Sequence, residues 1–333
     1  MADLRIAVLG AGAMGRTHAP AWQTVPNAKV VAIADLDEER LKKAQADFDI
    51  PEGCTEWADA VALEEVNVVS VCLPSYLHWD ATVFSAEQGR HILCEKPIAM
   101  TLRQADDMIA TAQHNHVLLG VGFCKRQGGA IQKMAELVQA GEIRRPVTYR
   151  FVTGWEIRPK PWIMDRTMGG GPVVDICCHF FDQWRVIFGS EPVRVTAQGQ
   201  TFSTGAPELP GVTPEVDTAT VLVEFGSGDL GMISISWGLP RGVAGQNCEE
   251  ILGPGGSIRP EGYHKVTMIR QGGEETVFED LPSDVYVREI HNFAAAARGE
   301  ETLAATGEDG RIALQVSLAA LLSIDTKETV ELS

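Results

Sequence analysis

The sequence predicts an α/β protein in two parts: a half with a parallel sheet, then an α+β half with a large, mostly antiparallel open sheet. Three observations carry this. Over residues 1–124, short apolar runs alternate with helical stretches, the pattern of βαβ units. From about Val147 the runs become period-2 strands separated by Gly- and Pro-rich turns. The chain has 333 residues, and single cores stop growing near about 250–300, so two domains are expected, at 1–124 and 125–333.

Five runs of the first part read as strands. RIAVLG (5–10) is followed by a helical stretch to about Thr24, and KVVAIAD (29–35) by EERLKKAQADF (38–48), whose apolar residues fall on one helical face. VNVVSVCLP (66–74), HILCEKP (91–97) and HVLLGVGF (116–123) complete the set. Their near-continuous apolar character suits a sheet covered on both faces. In the second part PVTYRF, VRVTAQGQ, TATVLVEF, LGMISISW and KVTMIR are strand-like, and REIHNFAAAARG and DGRIALQVSLAALLSI return to helix. TATVLVEF and LGMISISW carry apolar residues on both alternating faces, which predicts a covered outer face and a homo-oligomer, dimer or tetramer, through the open sheet.

The charge balance narrows the partners. Lys and Arg number 28 and Asp and Glu 45, a net charge of −17 that argues against nucleic acid or an anionic membrane surface. No apolar run reaches the roughly 20 residues that span a bilayer, and the N-terminal residues lack a signal-peptide layout. Seven scattered cysteines without a C-x-x-C fit a reducing cytoplasm better than a disulfide framework or structural zinc.

GAGAMG sets Gly10, Gly12 and Gly15 between a strand and a helix. This spacing allows a tight turn, close approach of a pyrophosphate and close helix–strand packing, with the helix N-terminus facing the phosphate charge. Asp35 ends the second strand about 20 residues past Gly15, where the acid that bonds a ribose 2′-hydroxyl belongs. A carboxylate repels a 2′-phosphate, and the following LDEE offers no Arg to receive one. A Rossmann domain with NAD rather than NADP is therefore expected.

With that half in place, CEKP (94–97) and GGGPVVDICCHFFDQW (169–184) become informative together. The chain resembles the Gfo/Idh/MocA family, the relatives of glucose–fructose oxidoreductase and inositol dehydrogenase. The resemblance runs through the glycine fingerprint, Pro74-Ser75-x-x-His78, Glu95-Lys96-Pro97, and the glycine triplet with Asp175 and His179. It implies a nicotinamide cofactor, oxidation or reduction of a sugar or cyclitol, catalytic roles for Lys96, Asp175 and His179, and a cis peptide before Pro97. Pro74, Ser75, His78, Glu95 and Lys96 are the positions it puts beside the cofactor. Two positions depart from the pattern: Tyr76 stands where many members carry Asn, and Cys178 where many carry Gly.

The run VVDICCHFFD (173–182) admits three chemistries. A metal site needs three or four converging ligands, and adjacent helical Cys177 and Cys178 point about 100° apart, so no metal is expected. A thiol site needs a base and a positive pocket. An acid–base pair needs only Asp175 and His179 at i and i+4 on one helical face, with the glycine triplet leaving room for substrate. Asp182 either orients His179 or is solvated. Lys96 ends a parallel strand, and ligands of such sheets bind outside the carboxyl ends of the strands. His78 is either a cofactor neighbour or a surface residue at a helix start. Lys125 and Arg126 either meet substrate or are linker charges, and Trp155 and Trp162 either wall a sugar site or pack.

The reading these residues support is an NAD-dependent dehydrogenase of a secondary hydroxyl in a sugar, glycoside or cyclitol. His179 serves as general base, Lys96 stabilises charge on the same oxygen, Asp175 holds a neighbouring hydroxyl, and Arg126 and Trp162 line the substrate. Two alternatives stand beside it: a glycosidase that uses tightly bound NAD for transient oxidation, and a non-catalytic dinucleotide-binding regulator.

Overall fold

The computed structural model describes residues 3–158 and 160–332. By contact the chain divides into two compact units, Met1–Cys124 with Tyr286–Arg311, and Lys125–Val285 with Ile312–Ser333. The sequence reading drew one break at 124/125, which leaves Tyr286–Arg311 with the second part; by contact this segment belongs to the first unit.

In the first unit the order is β1 (Leu4–Leu9), α1 (Ala13–Gln23), β2 (Ala28–Ala34), α2 (Glu38–Phe48), β3 (Glu52–Cys54), α3 (Trp57–Ala62), β4 (Val68–Val71), α4 (His78–Glu87), β5 (His91–Cys94), α5 (Leu102–His114) and β6 (Leu119–Val121). The strands are all parallel in the order β3-β2-β1-β4-β5-β6, so the sheet reverses direction of growth between β1 and β4. That switch point is where doubly wound sheets bind dinucleotides. Each of the five expected strands is present. The sixth, β3, is three exposed or half-exposed residues, too short to show a period. β1 and β4 are apolar except for Arg5 and the buried Ser70, as suits a sheet covered on both faces: Ile6, Val8, Leu9, Val68 and Val69 are fully buried. Helix starts are written locally: Asp37 accepts from the N–H groups of Glu39 and Arg40, and Thr101 and Gln104 form a capping box on α5.

The second unit holds α6 (Gly129–Gln139), β7 (Thr148–Glu156), α7 (Pro161–Met164), α8 (Gly171–Asp175), α9 (Cys177–Phe188), β8 (Pro192–Gln200), β9 (Thr218–Phe225), β10 (Leu230–Leu239), β11 (Cys248–Gly253), β12 (Gly256–Glu261), β13 (Lys265–Arg270), β14 (Glu275–Phe278) and β15 (Val330–Glu331). Two helices, α10 (Val285–Ala297) and α11 (Gly307–Thr326), lie between β14 and β15 in the chain. In the first unit, Phe293 of α10 meets Trp22 edge-on at 6.1 Å.

The second sheet has nine strands, β14-β13-β12-β11-β7-β10-β9-β8-β15, antiparallel except for the parallel pair β7–β10. α9 covers one face. Phe180 packs on Phe151 at 4.2 Å between ring centroids, Phe188 on Phe225 at 4.9 Å, and Trp184 lies on Tyr149 at 5.8 Å. Gly231 makes room for that indole, since a Cβ there would stand 2.2 Å from it. The opposite face is not the apolar patch the sequence suggested. Val152, Leu222 and Met232 are interspersed with hydroxyl pairs, Thr220–Ser234 at 3.1 Å and Thr218–Ser236 at 2.8 Å. Among the described residues, no helix is long and apolar enough to cross a membrane.

Candidate active site

The glycine turn between β1 and α1 has three positions with three different needs. Gly10 has φ +99°, and a Cβ there would stand 2.7 Å from the Cys72 carbonyl oxygen. At Gly15 a Cβ would fall 1.8 Å from the Gly10 oxygen, so these two glycines let α1 and β4 close on the turn. Gly12 differs: it caps α1, and a Cβ there would meet nothing within 4 Å. Open space at the one glycine that packing does not require is a cradle for something from outside. α1 also has no side-chain cap and no acid in its first turn, which leaves its N-terminal N–H groups suited to a phosphate. The turn fits a dinucleotide.

Asp35 follows β2 at the same edge. Its Oδ2 accepts from the N–H of Ala11 at 2.9 Å, and Oδ1 from the N–H of Asp37 at 2.9 Å. Arg40, on α2, reaches both oxygens at 3.2 and 3.3 Å. The expectation that no Arg stands near Asp35 is thus corrected: LDEE ends one residue short of Arg40, and the first turn of α2 brings that residue back.

Lys96 follows β5 and precedes a cis peptide to Pro97. Beneath it the sequence reading missed a buried polar block. The Glu95 carboxylate lies 3.0 Å from Nε2 of His18 and accepts the Lys96 N–H at 3.2 Å; His18 Nδ1 lies 2.8 Å from the Ser70 hydroxyl. Burial opposes the charge on His18, but Cys72 and Glu95 more than offset it and hold the imidazole well above its usual pKa. Glu95 is lowered in turn: burial opposes its charge, and the His18 bond outweighs that. The Glu95 carboxylate is engaged by His18 and the Lys96 backbone.

His78, also expected there, is 1% exposed, with Nδ1 2.8 Å from the Pro97 oxygen and Nε2 2.8 Å from the Leu73 oxygen. It ties the segment after β4 to the segment after β5, and the surface reading falls. Burial lowers its pKa against the pull of the two carbonyls. Pro74 and Ser75 form the turn that leads into it, with Ser75 buried and Tyr76 36% exposed.

In the second unit VVDICCHFFD is helical but not one helix. α8 ends at Asp175, α9 begins at Cys177, and the His179 N–H donates to the Ile176 oxygen at 3.1 Å, a tightened turn rather than an i to i+4 repeat. Asp175 and His179 are 6% and 5% exposed. The glycine triplet does not leave empty room. A Cβ on Gly169 would stand 2.5 Å from Ile163, one on Gly170 2.7 Å from Val174, and one on Gly171 3.0 Å from the Val216 oxygen. Gly170 and Gly171 also take φ near +70°, so the triplet turns the chain tightly into α8.

The charges around α9 are paired. Asp182 is 1% exposed and salt-bridged to Arg126, whose Nε donates to it at 2.9 Å; neither is a solvated charge. Lys125 sits 4.4 Å over the Phe180 ring. Trp162 is half-buried in α7, and Trp155 stacks on Trp237 at 5.8 Å. Burial pushes the Cys177 thiol well above its usual value, which makes it a poor nucleophile. Glu249 was missed: burial raises its carboxyl while the Tyr149 hydroxyl donates to it, and nothing in the local sequence around CEEILG signals that partner. Among the described residues one group could hold a metal ion, the buried His18, Glu95 and Glu289. Its histidine already has Glu95 and Ser70 at hydrogen-bond distance.

Comparison with known proteins supplies the context. Residues 4–123 match the oxidoreductase family with an NAD-binding Rossmann fold, and residues 131–259 match the GFO/IDH/MocA C-terminal domain. The myo-inositol 2-dehydrogenase of Thermotoga maritima is 30% identical over 99% of this chain and 98% of its own. The scyllo-inositol 2-dehydrogenase (NAD(+)) of Bacillus subtilis is 27% identical over 99% of this chain and 96% of its own. The crystal structure of a probable dehydrogenase from Thermotoga maritima superposes with a TM-score of 0.81 at 28% identity, covering 98% of each chain.

Proposed function

This chain belongs to the Gfo/Idh/MocA oxidoreductase family, and we propose that it oxidises a secondary hydroxyl of a cyclitol, sugar or glycoside with NAD. The observation that carries the reading is that this family member holds a glycine turn shaped for a dinucleotide, with Asp35 beyond it; the resemblance adds Lys96, Asp175 and His179 as the catalytic candidates. When bound, NAD supplies the hydride acceptor. Gly10, Gly12 and Gly15 give the turn its shape, Asp35 receives the ribose, and Pro74, Ser75 and His78 shape the segment after β4.

In this reading His179 takes the proton of the reacting hydroxyl. Lys96 donates a hydrogen bond to the same oxygen, favouring the state in which negative charge gathers there. Glu95 fixes the backbone from which Lys96 projects. Asp175 accepts from a neighbouring hydroxyl and orients the ring. Arg126, held by Asp182, contributes a fixed positive charge to the substrate side, and Trp162 an apolar face for a sugar ring. The second unit is then the substrate and oligomerisation domain. Its outer sheet face, with Val152, Leu222 and Met232 set among hydroxyl pairs, is the face proposed to meet a second copy, through a mixed rather than an apolar contact, and the seven free cysteines suit a reducing cytoplasm.

The relatives named above are dehydrogenases, which favours net oxidation over a glycosidase or a regulator. The test is NADH formation with NAD+ and a panel of myo-inositol, scyllo-inositol, aldoses and glycosides. A protein that binds NAD+ yet releases NADH with none of the panel, while hydrolysing a glycoside or doing nothing, would overturn the proposal. Light scattering at micromolar protein tests the assembly: a mass near 36.0 kDa rules out the oligomer.

A further inference from the structure

We propose that Arg158, stacked on Trp155 and Trp237, binds a carboxylate of the substrate, so that the polyol this chain oxidises is a sugar acid rather than a neutral sugar. The inference rests on the dehydrogenase reading above and narrows its substrate.

The place follows from the packing of α9. Trp184 lies on Tyr149 of β7, and Phe180, about one turn earlier, on Phe151, so each turn back along α9 is two residues forward along β7. The lengths agree: four helical residues rise about 6 Å and two strand residues about 6.6 Å. The break at Asp175 and Ile176 therefore comes over Thr153, with Trp155 next in the same row. β10 runs parallel to β7, and its row of Gly231, Ile233, Ile235 and Trp237 ends where the two indoles stack at 5.8 Å. α8 and α9 both touch β10. Asp175 and the tryptophan pair thus share one end of the helix-covered face.

Arg158 sits over that pair, its guanidinium carbon 4.4 Å from the Trp237 ring centroid and 5.2 Å from that of Trp155. It is half-buried, and among the described residues no carboxylate pairs with it. Arg126, Arg145, Arg150, Arg166 and Arg185 of the same unit each have one. The nearest acid in sequence, Glu156, accepts the Gly242 N–H at 2.8 Å. The indole below has the same lack. Trp237 is fully buried, and its N–H has no acceptor among the described residues, a costly state for a buried donor. Two donors of one stack, one of them charged, lack an acceptor.

The missing partner is an anion. A guanidinium held on aromatic faces keeps its N–H edge for a planar, bidentate partner, and a carboxylate is one. One such edge and one indole N–H suit a single charge better than a phosphate monoester, which carries about two at neutral pH. The net charge of −17 adds no further attraction for a dianion. The carboxylate takes no part in the chemistry. It anchors the substrate while His179 takes the proton of the reacting hydroxyl, so its loss is read in KM.

The experiment compares matched pairs with NAD+: D-glucose with D-glucuronate and D-galactose with D-galacturonate, with glucose 6-phosphate as a second anion. Expected for the wild type is a kcat/KM about tenfold or more higher for the acid of each pair, carried by KM. Arg158→Met should cut that ratio by about tenfold or more, the weight of a hydrogen bond to a charged group. Arg158→Lys, which keeps the charge without the fork, should cut it less. A wild type that uses neutral polyols as well as the acids overturns the inference and leaves the dehydrogenase reading standing. An acid preference that Arg158→Met does not move, or glucose 6-phosphate preferred to both uronates, does the same. No NADH from these sugars or from the inositols overturns the parent reading and this one together. If Arg158→Met does not fold, Arg158→Lys decides by whether the ratio of acid to neutral sugar moves.

Discussion

The two sets of candidate residues are held in different ways. In the first unit the polar groups around Lys96 are wired to one another: Ser70 to His18, His18 to Glu95, Glu95 to the Lys96 backbone, and His78 to two carbonyls. In the second unit Asp175 and His179 sit where a helix breaks, after a tight glycine entry, on a segment whose aromatic residues pack on β7 and whose Asp182 pairs with Arg126. A wired block transmits the loss of one member to its neighbours, because a buried charge left unpaired is costly. Removing one member of the Arg126–Asp182 pair should be costly for the same reason. Substitutions among the wired polar groups of the first set should therefore cost stability as well as rate.

The largest expected effect is on turnover. His179→Ala should lower kcat by roughly 10²–10⁴, the usual weight of general acid–base catalysis, with NAD+ affinity retained. Lys96→Ala should cost a similar factor, and if the two act on one oxygen as proposed, the double variant should lose less than the product of the two, since such groups are not additive. Steady-state turnover and nucleotide affinity for each variant are the measurements. Near-normal turnover in His179→Ala would remove α9 from the chemistry.

His18→Ala tests the wired block. It leaves Glu95 buried without its partner, and breaking a buried pair from one side costs about 3–5 kcal/mol. The pH dependence gives a second readout. His18 is raised when folded, so its contribution is full below about pH 6.5 and is lost as pH rises through the raised value. Glu95 is lowered when folded, so its contribution is present above about pH 4.3 and is lost as pH falls through the lowered value. Wild-type melting temperature should fall off on both sides of neutrality, and His18→Ala should flatten the alkaline side. An unchanged melting temperature at pH 7 would show that the block is not wired as described.

These two predictions also mark what was legible in the sequence. Asp175, His179 and Lys96 stand out as candidates in the sequence because each lies in a short local motif. The buried pairs near them do not: His18 and Glu95 are 77 residues apart, and Arg126 and Asp182 are 56 apart, distances at which one sequence carries no pairing signal. Arg40 is only five residues past Asp35, but its return to that carboxylate depends on the first turn of α2, which local sequence does not orient. The parallel strands were clear from continuous apolar runs, whereas β11, β12 and β14 carry Glu, Arg, Thr and Pro and show no clean alternation. The helix break at Ile176 was invisible because nothing in VVDICCHFFD is a helix breaker; the tight glycine entry into α8 precedes it.

A smaller effect separates fold from binding within one turn. Gly15→Ala would set a methyl 1.8 Å from the Gly10 oxygen and should unfold the turn or the unit. Gly12→Ala meets nothing and should leave the unfolding free energy within about 1 kcal/mol of wild type, since its φ of −72° suits any residue. It should still weaken NAD+ measurably by narrowing the approach of the pyrophosphate. Calorimetry and thermal melting on both variants decide this. Equal NAD+ affinity in Gly12→Ala and wild type would mean that the open position is not the cradle.

The smallest effects belong to the two thiols beside His179. Cys177 is fully buried with its thiol raised by burial, so at neutral pH it is neither a thiolate nor accessible. Cys178 donates to the Asp175 oxygen at 3.2 Å, a local bond that a serine hydroxyl keeps. Cys177→Ser and Cys178→Ser should each hold kcat within about threefold and cost stability on the order of 1 kcal/mol, from placing a hydroxyl in an apolar setting. Chelator should change nothing in any variant, because no step here uses a metal at His18, Glu95 and Glu289. Of the two, Cys178→Ser is the sharper test, since it stands beside His179 at a position where the family pattern often has glycine. A tenfold loss of turnover there, with NAD+ affinity and melting temperature intact, would show that the second set is wired to its thiol after all and would erase the contrast between the two units.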